Sequence, residues 1–514
     1  MATNASWRLA ATLVRVAVGL VSVPLFTRLL GMSQWGLLAL FQAATSPLAL
    51  LDMGLGAAAV KYVAEYTARG ENDRAVKVFH TTLLFNLVMG LGGALLVAGA
   101  APWLAHSLFA IPAAEAGRAV TGFRIMALSW LVGVLTASAA SVLAAHQRYD
   151  ASSRLATVAV VVTAGSGLLV AALGGDIVAV LAAQTAVSAL LGLAYLAAAR
   201  SLLPGIARKP RWDAESFRRS FGFGLWQGVA VGGAMLSGWG DRYILGAFFV
   251  PATVGFYSVV NLLYTQMYTL FLEMGEVLFP AVSHLEGQGD LAGARRLTLL
   301  VAWTLATGFG IAGSVLAVVG GDFVQLWISP EASRAAAPTL RLLCAAGILG
   351  MPAIALFYYL LGIGRTRWDA ASALVVGLTV VGLDLLLVPR LGMIGLGFGL
   401  IGGVLARWVI LGAIWKAHFS REWSFGAFAL HVFVPALVAL GVLGLLDRLH
   451  ALWAPRASWP WFVLEGAVAL AASAGIQLGV AALLPGGRQR IRDVASSFRP
   501  VLDRIAGALP FRAA

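Results

Sequence analysis

Apolar windows of about twenty residues recur from Trp7 to Leu484, and that is about the length a helix needs to cross the hydrocarbon core of a bilayer. Backbone inside that core has to satisfy its own hydrogen bonds, so a chain written this way folds as helices. Only 11% of the 514 residues are charged and 60% are apolar, against about a quarter charged in a water-soluble domain. Too few charges remain to cover a wet surface. An all-α polytopic membrane protein is predicted.

The first stretch, Leu9 to Leu30, is longer than a signal-peptide core, carries Arg15 in its middle and lacks a small-residue cleavage site. It reads as an uncleaved first span. A lone cysteine, Cys344, excludes an intramolecular disulfide and a cysteine zinc cluster. The formal net charge of +13 is explained by topology: with the N-terminus cytoplasmic, 25 of the 36 Lys and Arg residues fall in cytoplasmic segments, 9 in external ones and 2 within spans. That is the positive-inside bias. Nucleic acid is not an expected partner.

About fourteen spans are predicted. Six lie near 9–30, 36–60, 78–100, 120–145, 155–173 and 177–199. Six more lie near 221–247, 254–280, 297–320, 336–362, 371–389 and 393–415, and a last pair near 424–446 and 461–484. Connectors are short, so any site lies among the helices. Arg200, Arg208, Lys209, Arg211, Arg218 and Arg219 cluster around Pro204 and Pro210, which marks a boundary and predicts a short helix on the inner leaflet. The expected domains are an N-lobe at 1–205, a C-lobe at 206–420, the last two spans at 421–485 and a basic cytoplasmic tail at 486–514. In the tail, arginines from Arg488 to Arg512 alternate with Ile491, Val494, Phe498, Leu502 and Ile505. Attachment to anionic lipid headgroups and a frayed basic end are equal readings.

Internal echoes support two like-oriented, pseudo-symmetric six-helix lobes. T-R-L-L-G-M-S-Q-W-G (Thr27 to Gly36) joins the first two spans, as D-R-Y-I-L-G (Asp241 to Gly246) with V-G-F-Y (Val254 to Tyr257) joins the seventh and eighth. G-E-N-D-R-A from Gly70 is matched by G-Q-G-D-L-A-G-A-R-R from Gly287.

Ionisable groups within spans are costly and mark cavities or pathways by default. Arg15 shares a helical face with Arg8 and Ser22; it either lines a cavity or snorkels to the interface. Asp52, on the second span after Pro47, predicts a gate on a kinked helix or a permanent salt bridge to Arg15. Gln266, Thr269, Glu273 and Glu276 form one stripe on the eighth span, and a polar stripe has to face protein or water. Glu273 is its candidate for holding a proton or cation. Asp241 and Arg242, beside Trp239 and Tyr243, read as an interface anchor ahead of a ligand; Asp384 and Arg390 are open to the same two readings. Arg407 continues the line Gly395, Gly399, Gly403, and Gly224, Gly228 and Gly232 form a matching line on the seventh span. Small residues four apart permit close helix contact.

No P-loop, H-E-x-x-H or C-x-x-C motif occurs, and the seven histidines, among them His80, His146 and His284, lack ligand spacing. Neither a metal nor a cofactor is expected.

With this layout and with T-R-L-L-G-x-x-x-W-G, L-D-M-G-L-G (Leu51 to Gly56) and D-R-Y-I-L-G-x(7)-V-G-F-Y, the chain resembles the O-antigen-type polysaccharide-biosynthesis flippases of the multidrug/oligosaccharidyl-lipid/polysaccharide exporter superfamily. The resemblance extends by layout over nearly the whole chain. It implies a non-enzymatic transporter of the bacterial inner membrane that moves an undecaprenyl-pyrophosphate-linked oligosaccharide to the periplasmic leaflet for lipopolysaccharide or other surface-polysaccharide synthesis. It further implies two lobes, a cationic cavity, alternating access, a lipid-facing groove on the last two helices, and glycan polymerase and glycosyltransferase partners. The cavity arginines of relatives correspond here only to Arg15, and mid-membrane arginines are fewer than in many of them.

A guanidinium's fixed fork of donors suits phosphate oxygens, so Arg15 with Arg407 is expected to take the pyrophosphate, and Asp52, Gln266 and Glu273 to gate or couple to an ion. A multidrug exporter of the same fold is expected to carry acids in place of Arg15. A lipid II flippase, a membrane glycosyltransferase or polymerase, and a non-transporting scaffold are the other readings; the short external connectors, poor in acids, disfavour the enzymes.

Overall fold

The computed structural model describes the backbone of residues 2–52, 54–418, 424–453, 458–484, 486–494 and 496, with side chains from Val14 onward apart from short helical stretches, chiefly 222–234 and 425–429. Among these residues the chain is helical with no strand. α1 (Ala2–Thr45) is two helices joined at Gly31, where φ is 83°. A 3₁₀ turn (Ser46–Asp52) leads into α2 (Leu55–Ala68). α3 (Asn72–Trp103), α4 (Ala113–Ala145), α5 (Tyr149–Ala172) and α6 (Ile177–Leu202) follow, then α7 (Ala214–Phe248), α8 (Pro251–Glu276) and the short α9 (Leu278–Gly287). α10 (Leu291–Trp327), α11 (Pro330–Gly362), α12 (Thr366–Leu391), α13 (Met393–His418), α14 (Phe425–Trp453) and α15 (Trp459–Leu483) complete the order.

Eleven described segments are long and apolar enough to cross a membrane. One of them, Val14–Asp52, bends at Gly31 and holds two predicted spans. Large apolar side chains point outward along the helices, with Leu95, Leu173, Leu190 and Leu483 all exposed. A bilayer accepts that surface and water does not. The chain is a multi-pass membrane protein.

Three boundaries differ from the sequence expectation. The second span is a helix that ends at Thr45, a 3₁₀ turn and a fresh helix from Leu55, since Pro47 lacks the N–H that would continue the ladder and Gly54 turns left-handed at φ 70°. The eighth span stops at Glu276, and 278–287 form a separate helix. In place of a surface helix, the basic connector has only a 3₁₀ turn, Pro204–Ala207, before Asp213 caps α7 by accepting from the Ser216 N–H at 2.9 Å.

Two compact units are present, 1–259 with 373–396 and 260–372 with 397–514. In the first, Tyr62, Phe79, Val142 and Tyr195 share a core. In the second, Val318, Val442, Leu446 and Ala469 pack α10 against α14 and α15. The repeat seen in the sequence is carried by backbone handedness. Left-handed residues close equivalent turns at Gly70 and Gly289, at Gln147 and Gly364, and at Gly174 and Gly392. Their separations, 289 − 70 = 219, 364 − 147 = 217 and 392 − 174 = 218, are almost constant.

Candidate functional site

The end of α7 presents Asp241 and Arg242, α8 presents Tyr257 and α12 presents Asp384, all within the first unit. Asp241 is 6% exposed and Asp384 only 1%. The Tyr257 hydroxyl donates a short hydrogen bond to Asp241 Oδ2. Arg242 Nη1 donates to both Asp241 oxygens at 3.2 and 3.3 Å, and its guanidinium lies over Trp239, 4.8 Å from the ring centre. Neither Asp384 oxygen has a hydrogen-bond partner among the described residues, and the carboxyl feels the charge of Asp241.

The pair expected as an interface anchor is therefore folded inward, because Asp241 has hydrogen-bond partners there. The motif D-R-Y-I-L-G-x(7)-V-G-F-Y contains its own explanation: its first and last residues are the two ends of the Asp241 to Tyr257 bond. Two buried carboxyls with one guanidinium, which pairs with Asp241, leave one negative charge in excess. Burying such a charge is costly unless a proton or cation offsets it.

Asp52 sits at the end of the 3₁₀ turn, where its Oδ2 accepts from the Gly56 N–H at 3.4 Å and Asn86 of α3 is its other neighbour. Asn86 in turn donates to Ser138 Oγ of α4 at 2.9 Å. Asp52 thus opens a polar line through three elements. The expected salt bridge to Arg15 is not formed, since Asp52 turns to α3 while Arg15 is exposed on α1.

In the second unit, Gln266 is half-buried and Thr269, Glu273 and Glu276 are exposed, on the face of α8 opposite the buried Tyr264 and Gly275. Arg407 of α13 is half-buried within electrostatic range of Tyr264, and Gly395, Gly399 and Gly403 on its line are buried. Gly224, Gly228 and Gly232 fall where only the helix backbone is described, and the tail from 497 onward lies outside the described residues. Its first turns, 487–494, fold back: Arg490 Nη1 meets His431 Nε2 at 2.6 Å, its guanidinium sits 6.0 Å from the Trp303 ring centre, and burial lowers its affinity for its proton. Sequence reasoning did not find the partnership of Asp384 with Asp241, nor a group formed by Asp322, His450 and Glu465. Both depend on helices distant in sequence. The only local signal was a carboxylate inside an apolar span.

The family model described as polysaccharide biosynthesis protein matches residues 1–286. No curated protein matches the chain. Among solved structures, "Lipid II flippase MurJ, inward closed conformation" is similar with a TM-score of 0.71 at 15% identity, covering 91% of this chain and 98% of that one. An inward-facing multidrug resistance MATE family transporter of the MOP superfamily is similar with a TM-score of 0.68 at 15% identity, covering 80% and 99%. A MOP superfamily transporter from Pyrococcus furiosus, titled for the reverse polarity of its binding pocket, gives 0.55 at 14% identity over 81% and 95%. At these identities the likeness is one of fold.

Proposed function

Because the chain belongs to the polysaccharide biosynthesis protein family, whose model matches more than half of it, we propose that it is a flippase for undecaprenyl-pyrophosphate-linked oligosaccharide. The cargo moves from the cytoplasmic to the periplasmic leaflet of a bacterial inner membrane by alternating access between the lobes 1–205 and 206–420. Both termini face the cytoplasm. The family match is the observation that carries the reading. The likeness to the lipid II flippase supports a lipid-linked cargo over a drug, since it extends over 91% of the chain against 80% for the drug transporter.

A diphosphate does not cross hydrocarbon unaided, so it needs donors along its path. Arg15, exposed on α1, and Arg407, half-buried on α13, supply forked guanidinium donors suited to phosphate oxygens. Ion coupling belongs to the carboxyls: Asp241 with Asp384 holds the compensating cation or proton, while Asp52, Gln266 and Glu273 line the polar surfaces that gate the path. The glycosyltransferases that build the cargo and a polymerase that consumes it are the partners of this reading.

The test is a leaflet-accessibility assay with labelled polyprenyl-pyrophosphate oligosaccharide in vesicles holding the purified protein. Protein-dependent movement that is lost in the double variant Arg15→Ala, Arg407→Ala is the expected result. Wild-type movement by that variant sinks the arginine role, and no movement by the unaltered protein, with drug or lipid II moved instead, sinks the cargo.

A further inference from the structure

Asp322 on α10, His450 in the last turn of α14 and Glu465 on α15 place their ligand atoms within 4.8 Å of one another, inside the second unit. The imidazole lies between the acids. Its Nε2 is 3.4 Å from Asp322 Oδ2, and its Nδ1 makes a short contact with Glu465 Oε1. Glu465 is 5% exposed, and its second oxygen has no hydrogen-bond partner among the described residues. Phe323, Trp459 and Phe462, on the same two helices as the acids, meet one another edge-on or tilted.

Hydrogen counting decides what such a group binds. A neutral imidazole has one N–H and one lone pair, so it satisfies one carboxylate and turns a lone pair on the other. Both contacts become favourable only when the triad holds one more proton than a neutral histidine and two carboxylates would. Arg341 of α11 does not supply this charge in full: it faces Asp322 from α11 but pairs with Asp447, one turn before His450, at 3.1 Å.

We propose that Asp322, His450 and Glu465 form a proton-binding site that ties α14 and α15 to α10, separate from the Asp241 and Asp384 carboxyls. With the proton in place, both N–H donors hold an acid on a neighbouring helix. Without it, one contact turns repulsive and the three helices loosen at that end. The site stands whatever the cargo is.

Thermal unfolding of the purified full-length protein in detergent, scanned from pH 5 to 9 beside His450→Gln and Glu465→Gln, tests this. The unfolding midpoint of the wild type is expected to fall by several degrees as the pH rises, and His450→Gln is expected to lose that step. An unchanged step in His450→Gln overturns the proposal. Where that variant yields no folded protein, Glu465→Gln decides: removing one facing charge should displace the step along the pH axis, and an undisplaced step is equally fatal. Elemental analysis closes the alternative. Stoichiometric metal in the wild type that is absent from the variants would replace the proton with a metal ion and overturn the assignment.

Discussion

Gly36 of α1 and Gly255 of α8 meet reciprocally: each glycine lies against the residue four before the other. A methyl on Gly36 would strike the Pro251 carbonyl, and one on Gly255 would lie 2.6 Å from the Met32 carbonyl oxygen. Backbone touches backbone on both sides, which only glycine permits. The two positions are the W-G and V-G-F-Y glycines of the echoing motifs, 255 − 36 = 219 residues apart.

Replacing either glycine is therefore costly. Gly36→Ala is expected to destabilise the protein by about 1–3 kcal/mol, the usual range for overpacking, and Gly255→Ala by less, because its second neighbour is the yielding Met32 thioether. Unfolding midpoints in detergent check the order. Equal wild-type stability for both variants would show that the helices separate freely.

The turn positions give a paired prediction. Gln147 holds φ at 53° without being glycine, while Gly364 holds 71° at the equivalent turn with open space around its missing side chain. A left-handed non-glycine residue costs about 1–2 kcal/mol, so Gln147→Gly should raise the unfolding midpoint slightly and Gly364→Ala should lower it. Opposite signs in one calorimetric series are the expected outcome.

How much of this was legible in the sequence depends on range. The apolar windows, the repeat, and the motifs around Gly31, Gly54 and Gly255 were readable because each records a local backbone demand. Asp52 was misplaced because Pro47 was read as kinking a continuous helix, whereas it begins a 3₁₀ turn with Asp52 at the end. Asp241 looked like an anchor because adjacent opposite charges beside aromatics suit an interface. Only the fold shows that Tyr257 and Asp384 enclose it.

Asp384→Asn separates structure from transport. Its carboxyl is buried with no hydrogen-bond partner among the described residues, and removing an uncompensated charge does not weaken a fold. The midpoint is expected to stay or rise while ion-driven flipping falls at least tenfold. A variant that flips normally under the same gradient would remove this carboxyl from ion coupling.

Acid should selectively weaken the start of α7. The Ser216 side chain and N–H hold the Asp213 carboxyl below its ordinary value. Its stabilising effect is therefore complete above about pH 3.9 and is lost as the pH falls through the lower folded value. Asp213→Ala should cost about 1 kcal/mol at neutral pH, as other lost caps do. Below that window the two proteins should converge. Paired unfolding curves at pH 3 and 7 measure the difference.

The near-constant spacing of the left-handed turns bears on how such a chain can be cut and rejoined. The three helices α3 to α5, between 70 and 174, end in turns of the same handedness as α10 to α12, between 289 and 392. Exchanging one set of three for the other therefore keeps the number of crossings and the orientation of every helix downstream. The turns act as standard couplings, and recombination at them yields chains that still thread a bilayer in order.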